Sequence, residues 1–138
     1  MPVIDASIAV DWVAPGVDSR GPAGQLLSRL AEQNAPILAP RLLIEETANA
    51  LITGIRRGRW TGAQADTAFV LLRRMPIQLV DQPGDLDRAF ELSRRYDEHP
   101  VYDLIYVAVA ERLRERLVTA DTALRRRLVD VPFLVGPT

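Results

Sequence analysis

The sequence contains no cysteine and no lysine, and it has only one histidine, His99, in 138 residues. The missing cysteines exclude disulfides, thiol nucleophiles and zinc–thiolate sites. A single histidine, which we interpret as a loop residue, leaves no paired-histidine ribonuclease mechanism. The absence of a Gly-x-Ser-x-Gly sequence argues against a Ser–His–Asp hydrolase, and no Gly-x-x-x-x-Gly-Lys loop is present to bind nucleoside triphosphates.

The sequence also lacks an excess of either sign of charge, since Lys and Arg total 17, Asp and Glu total 18, and the net charge is -1. This balance gives no overall attraction to nucleic acid, so any such binding must depend on local patches. Arg125 and Arg126 are our candidates for substrate phosphate contacts, because arginine pairs bidentately with phosphate and these two follow Asp121 closely. The chain has neither a signal-peptide pattern nor a long apolar run, and we expect a cytoplasmic protein.

Five short apolar runs alternate with longer segments that have helical spacing, which predicts an α/β fold. We expect residues 1–138 to form one domain, with a mostly parallel sheet of four to five short strands and helices on both faces. The predicted strands are "PVID" (2–5), "PILA" (36–39), "PIQLV" (76–80), "RLVT" (116–119) and "PFLV" (132–135).

Four acidic residues can be placed at the carboxyl edge of this sheet, where α/β proteins bind ligands. Asp5 and Asp121 follow the first and fourth strands. Glu46 lies early in the helix after the second strand, and Asp103 begins the helix that leads into the fourth. Each of them could merely cap a helix or favour its dipole. Four converging carboxylates without lysine nevertheless favour a hard-cation site for Mg²⁺ or Mn²⁺.

The segments around these acids resemble the four motifs of the PIN domain, and within it the VapC-type toxins of bacterial toxin–antitoxin pairs. "VIDASIAV" is similar to the opening motif and "APRLLIEETANAL" to the second, with asparagine three positions after the glutamate. "VYDLIYVAVAE" and "RLVTAD" resemble the third and fourth motifs. The resemblance covers nearly the whole chain, and the motifs occur in the family's order and at its spacing.

The resemblance implies a three-layer α/β/α fold and a Mg²⁺- or Mn²⁺-dependent endoribonuclease. It also implies a homodimer and a cognate VapB-like antitoxin whose C-terminal segment fills the active-site groove. The implied catalytic and metal-binding acids are Asp5, Glu46, Asp103 and Asp121, and the implied supporting polar residues are Ser7, Asn49 and Thr119.

For the mechanism, we expect Asp5 to bind the principal ion and Asp103 and Asp121 to complete its shell, directly or through water. Glu46 would orient or deprotonate the attacking water. Some family members have a further acidic residue shortly after the fourth motif. Residues 122–127 contain none, so the sequence does not decide whether a second metal ion is bound.

Two other interpretations stay open. A catalytically silent PIN-like module that binds RNA or protein would have the same fold, although the complete acidic set argues against it. A receiver-like signalling domain would share the sheet and the acidic pocket. That class, however, carries a lysine after the last-but-one strand, and this chain has no lysine.

Overall fold

The computed structural model describes residues 1–138 and contains five strands and seven helices in alternating segments. The strands are β1 (Val3–Ile4), β2 (Ile37–Ala39), β3 (Ile77–Leu79), β4 (Leu117–Val118) and β5 (Leu134–Val135). The helices are α1 (Ala6–Val13), α2 (Pro22–Glu32), α3 (Leu42–Arg56), α4 (Gly62–Arg74), α5 (Gly84–Arg95), α6 (Val101–Leu113) and α7 (Thr122–Arg127). Each strand lies within a predicted apolar run. No helix has the length and apolar character needed to cross a membrane.

The five strands form one sheet in the order β3-β2-β1-β4-β5, and every neighbouring pair is parallel. The chain moves outward from β1 through β2 to β3, then crosses back to β4 and continues outward to β5. Because such crossovers are right-handed, reversing the direction moves the connecting helices to the opposite face. Helices α1 to α4 therefore pack on one face and α5 to α7 on the other, which confirms the predicted α/β/α fold. The sheet, predicted to be mostly parallel, is parallel throughout.

The reversal of strand order places the carboxyl ends of β1 and β4 next to each other. Val3 pairs with Leu117 and Ile4 with Val118, so the residues that follow these strands emerge side by side. The backbone N–H of Asp5 continues this pairing by donating to the Val118 carbonyl at 3.2 Å. A ligand crevice is expected at such a switch point between strands.

The central strands of the sheet are completely enclosed at this point. Val3, Ile4 and Leu117 are inaccessible to solvent, as expected for parallel strands covered on both faces. Edge strand β3, by contrast, exposes Gln78 and Leu79. Asp81, which follows β3, thus lies two strand positions away from β1, roughly 10 Å at about 4.8 Å per step.

Local sequence signals account for the helix boundaries around this core. Thr61 and Gln64 form a reciprocal capping box at the start of α4, as the N-cap position of Thr61 predicts. Pro100 precedes α6, where it cannot extend α5 but suits a helix start. Helix α6 packs against β1 and β4. Its first turn, with Asp103, therefore lies at the carboxyl edge of both strands.

Candidate active site

A cavity of about 280 Å³ opens at the carboxyl ends of β1 and β4, and all four predicted acids line it. They come from four separate segments: the ends of β1 and β4 and the first halves of α3 and α6. The complete lining consists of Asp5, Ala6, Ser7, Val10, Glu46, Ala50, Asp103, Tyr106 and Asp121. The fold thus brings together carboxylates that are up to 116 positions apart in sequence.

Asp5 is the most deeply buried of the four acids, with 7% of its surface exposed. It is the N-cap of α1, and its Oδ1 accepts from the Ile8 N–H at 3.4 Å and from the Ser7 hydroxyl at 2.5 Å. Burial raises the pKa of Asp5, and the charge of Asp103 raises it further, while the hydroxyls of Ser7 and Thr119 and the Ile8 N–H oppose the shift. The capping role therefore coexists with a carboxylate that is costly to ionise.

Ser7 and Thr119 connect the segments that follow the two central strands. Their hydroxyl oxygens lie 3.2 Å apart, and the Ser7 Oγ also accepts from the Ala120 N–H at 2.8 Å. The Thr119 Oγ1 accepts from the Asp121 N–H at 3.0 Å. This small network fixes the start of α7 relative to Asp5, and the supporting role of Ser7 and Thr119 in binding or catalysis stays a prediction.

Asp121 is the N-cap of α7, and its Oδ1 accepts from the Leu124 N–H at 3.0 Å. Unlike Asp5, it is exposed. One carboxylate oxygen is engaged in the cap, and no hydrogen bond within the protein engages the other. Asp121 can therefore present an oxygen to the cavity without disturbing the helix.

Glu46 has a partner that the sequence interpretation missed, the phenol of Tyr106. The Tyr106 hydroxyl donates to Glu46 Oε1 at 2.5 Å and bridges α6 to α3 across the cavity. Burial raises the pKa of Glu46, the bond from Tyr106 lowers it, and the charges of Asp103 and Asp5 raise it, with a net upward shift. The i, i+3 spacing from Asp103 places Tyr106 on the same face of α6 and was the available sequence signal.

Asp103 also has an unexpected partner, the single histidine of the chain. His99 Nε2 lies 2.6 Å from Asp103 Oδ2. His99 does lie between helices, as interpreted from the sequence, but only 4% of it is exposed. Its spacing of one helical turn from Asp103 was visible in the sequence, whereas its burial depends on tertiary packing.

The remaining predicted residues lie outside this cavity. Asn49 is on α3 and exposed, and the neighbouring Ala50 contributes to the lining instead. Arg125 and Arg126, on α7, line a separate cavity of about 480 Å³. The Arg125 guanidinium also lies close above Gly136, where a Cβ would come within 2.7 Å of its Nη1. Arg125 and Arg126 lie about one helical turn after Asp121 but outside the acidic cavity, so their contact with the substrate stays a prediction.

The lining suits a hydrated hard cation better than a fully protein-coordinated one. None of the four carboxylates forms an ion pair with arginine. No three acidic or histidine side chains converge closely enough to hold a metal by protein ligands alone. Mg²⁺, however, is commonly bound through one or two carboxylates and keeps several waters. Carboxylate oxygens that repel each other across an open cavity are compatible with such an ion.

Comparison with known proteins assigns the chain to a family. The PIN domain family model matches residues 3–127. VapC ribonuclease Mb0985 of Mycobacterium bovis is 32% identical over 124 residues, which cover 90% of this chain and 88% of the relative. Ribonuclease VapC9 of Mycobacterium tuberculosis is similar to the same extent.

Two solved structures share the fold. A toxin–antitoxin complex from Klebsiella pneumoniae matches with a TM-score of 0.67 and 19% identity, covering 100% of this chain and 98% of that one. PAE2754 from Pyrobaculum aerophilum matches with a TM-score of 0.72 and 21% identity, covering 99% and 88%. The family model, the curated relatives and the all-parallel 3-2-1-4-5 sheet agree, and the chain belongs to the PIN-domain family, with VapC ribonucleases among its distant homologues.

Proposed function

We propose that this chain, as one PIN-like domain spanning residues 1–138, is a divalent-metal-dependent endoribonuclease that acts as the toxin of a toxin–antitoxin pair. The observation that carries the proposal is the convergence of four carboxylates from four segments on one cavity. The ribonuclease names of its curated relatives support RNA as the substrate. Mg²⁺ or Mn²⁺ is the proposed cofactor, because the donors are all carboxylate oxygens.

Asp5, Asp103 and Asp121 would hold the cation, which when bound would polarise the scissile phosphate and offset charge that develops on it. These three acids stand at the starts of α1, α6 and α7, and the network of Ser7 and Thr119 fixes the relative positions of Asp5 and Asp121. Such preorganisation is what stabilises a charged transition state without reorganisation of the protein.

Glu46 is the proposed base that accepts a proton from the attacking water. Its Oε1 is engaged by Tyr106, its Oε2 has no hydrogen bond within the protein, and the residue lines the cavity. Burial and the charges of its acidic neighbours raise the pKa of Glu46 above the ordinary value, which makes it a better proton acceptor than an isolated glutamate. The Tyr106 bond fixes the carboxylate orientation at the same time.

For the partners, we propose a homodimer and a cognate VapB-like antitoxin. The fold is shared with a chain of a Klebsiella pneumoniae toxin–antitoxin complex, which supports an antitoxin partner. Co-expression with the product of the neighbouring gene, followed by co-purification, tests the proposed antitoxin separately from catalysis.

The catalytic proposal is tested with purified protein and a mixed RNA substrate. We expect cleavage in Mg²⁺ or Mn²⁺, no cleavage in EDTA, and none with Asp5→Asn under any of these conditions. Glu45→Gln is the matched control, because Glu45 is exposed and neighbours Glu46 without lining the cavity. RNA that is bound but never cut would instead indicate a catalytically silent binding module. Cleavage by Asp5→Asn at the wild-type rate would contradict the assignment.

A further inference from the structure

His99 is a buried polar side chain to which the proposed reaction gives no role. It lies between α5 and α6, its side chain is 5% exposed, and its Nε2 contacts Asp103 Oδ2 at 2.6 Å. Its Nδ1 is buried and has no hydrogen-bond partner. An ionised carboxylate can only accept, so the ring proton of this pair belongs on Nε2. The Nδ1 lone pair then remains unpaired, which costs less than an orphaned N–H.

The loop around His99 holds the ring in place. The Ser93 hydroxyl donates to the His99 carbonyl oxygen at 2.5 Å, and the His99 N–H donates to the Tyr96 carbonyl at 3.1 Å. The imidazole is thus anchored through its own backbone and through the packing that buries it. The ring is a fixed donor rather than a mobile surface group.

Asp103 has no comparable support of its own. Its side chain is 39% exposed, and its bond with His99 is the only hydrogen bond that it makes. An unsupported carboxylate at a helix start could rotate toward solvent. The bond to Oδ2 selects one orientation and leaves Oδ1 available to the cavity that Asp103 lines.

We propose that His99 is a positioning residue that orients Asp103 for divalent cation binding. The inference rests on the proposed function, because it requires that the acidic cavity hold the ion. Hydrogen-bond partners of metal-binding groups change metal affinity by about 10- to 100-fold when they are removed. Loss of the His99 donor therefore weakens the ion's affinity by about that factor while every acidic residue is still present.

Two variants separate the donor from the volume of the ring. His99→Phe keeps a buried ring without a donor, and we expect Mn²⁺ affinity, measured by titration calorimetry, to fall about 10- to 100-fold. His99→Gln places an N–H near the position of Nε2 and restores an affinity close to that of the wild type. Thermal unfolding in EDTA shows whether each variant folds. Equal affinity of His99→Phe and wild type, or an equal loss in both variants, would overturn the positioning role.

A second measurement needs neither metal nor activity and does not depend on the folding of His99→Phe or His99→Gln. Because His99 is the only histidine, ¹⁵N-histidine labelling gives a single ring spectrum. In EDTA at pH 7 we expect the proton on Nε2, with a resonance that shifts in Asp103→Asn; a proton on Nδ1 alone would overturn the proposal. Failure of the wild type to bind Mn²⁺ would overturn the proposed function as well, whereas wild-type binding that His99→Phe matches would overturn only the positioning role.

Discussion

Removal of the Asp5 charge should stabilise the metal-free protein and should also abolish most of the stabilisation that a divalent cation provides. Burial, reinforced by the charge of Asp103, raises the pKa of Asp5 in the folded state. Between the ordinary aspartate value of 3.8 and that raised value, the folded state binds more protons than the unfolded chain. Wild-type stability attributable to Asp5 therefore falls as the pH rises through this window. Asp5→Asn keeps an acceptor oxygen for Ser7 and Ile8, but its side chain does not ionise, so its stability lacks this pH dependence.

In EDTA at pH 7 we accordingly expect Asp5→Asn to melt at a higher temperature than the wild type, and we expect the difference to disappear below about pH 4. A cation that binds only the folded wild type at a hundred times its dissociation constant adds about 2.7 kcal/mol. At about 2.1 cal/mol/K per residue, the unfolding entropy of this chain is roughly 290 cal/mol/K, so the expected rise is about 9 °C. Asp5→Asn should gain little.

Scanning calorimetry in EDTA and in saturating Mg²⁺ or Mn²⁺ measures both effects. Glu45→Gln serves as the control, since its exposed pair with Arg41 contributes little and its melting temperature should follow that of the wild type. The same metal-induced rise in wild type and Asp5→Asn would refute the reasoning, and so would the lack of any rise in the wild type.

Two further substitutions test the packing of α3 against Trp60 and the electrostatics of the site, and Gly62→Ala is the control for the first of them. A Cβ at Gly54 would come within 2.0 Å of the Trp60 ring, so Gly54→Ala should lower the free energy of unfolding by about 1–3 kcal/mol in urea denaturation; Gly62→Ala, where a Cβ meets open space, should instead be neutral or stabilising. Tyr106→Phe removes the bond that lowers the pKa of Glu46, so the acid limb of the pH–rate profile should move to higher pH, and a limb that does not move would exclude Glu46 as the base.

The sequence was sufficient to predict the class of the fold because its apolar runs are short and clearly bounded. Central strands such as β1 and β4 are buried on both faces and consist of consecutive apolar residues, so each predicted run contains the observed strand. The boundaries of the predicted runs and of the observed strands differ by one or two residues. The all-parallel order, which the sequence left as mostly parallel, depends on tertiary pairing.

The sequence was sufficient to place the acidic residues of the candidate site and the neighbouring Ser7 and Thr119, but not the partners of Glu46 and Asp103. Asp5 and Asp121 could be placed because the carboxyl ends of parallel strands share one edge. The partners of the other two acids, Tyr106 on Glu46 and His99 on Asp103, depend on how α6 packs and on how its preceding loop folds inward. A spacing of four residues made the His99–Asp103 contact geometrically possible, whereas the Tyr106–Glu46 contact joins two helices and becomes visible only in the packed chain.

The central claim is that Asp5, Asp103 and Asp121, which come from distant segments of the chain, hold one divalent cation directly or through water. Crystals grown or soaked with Mn²⁺ test it directly, because the anomalous signal of manganese locates the ion independently of any assay. We expect an anomalous peak inside the cavity, at an ion that Asp5 and at least one of Asp103 and Asp121 bind directly or through water. Well-diffracting crystals with no peak there at saturating Mn²⁺, or with manganese bound only elsewhere on the surface, would contradict the claim.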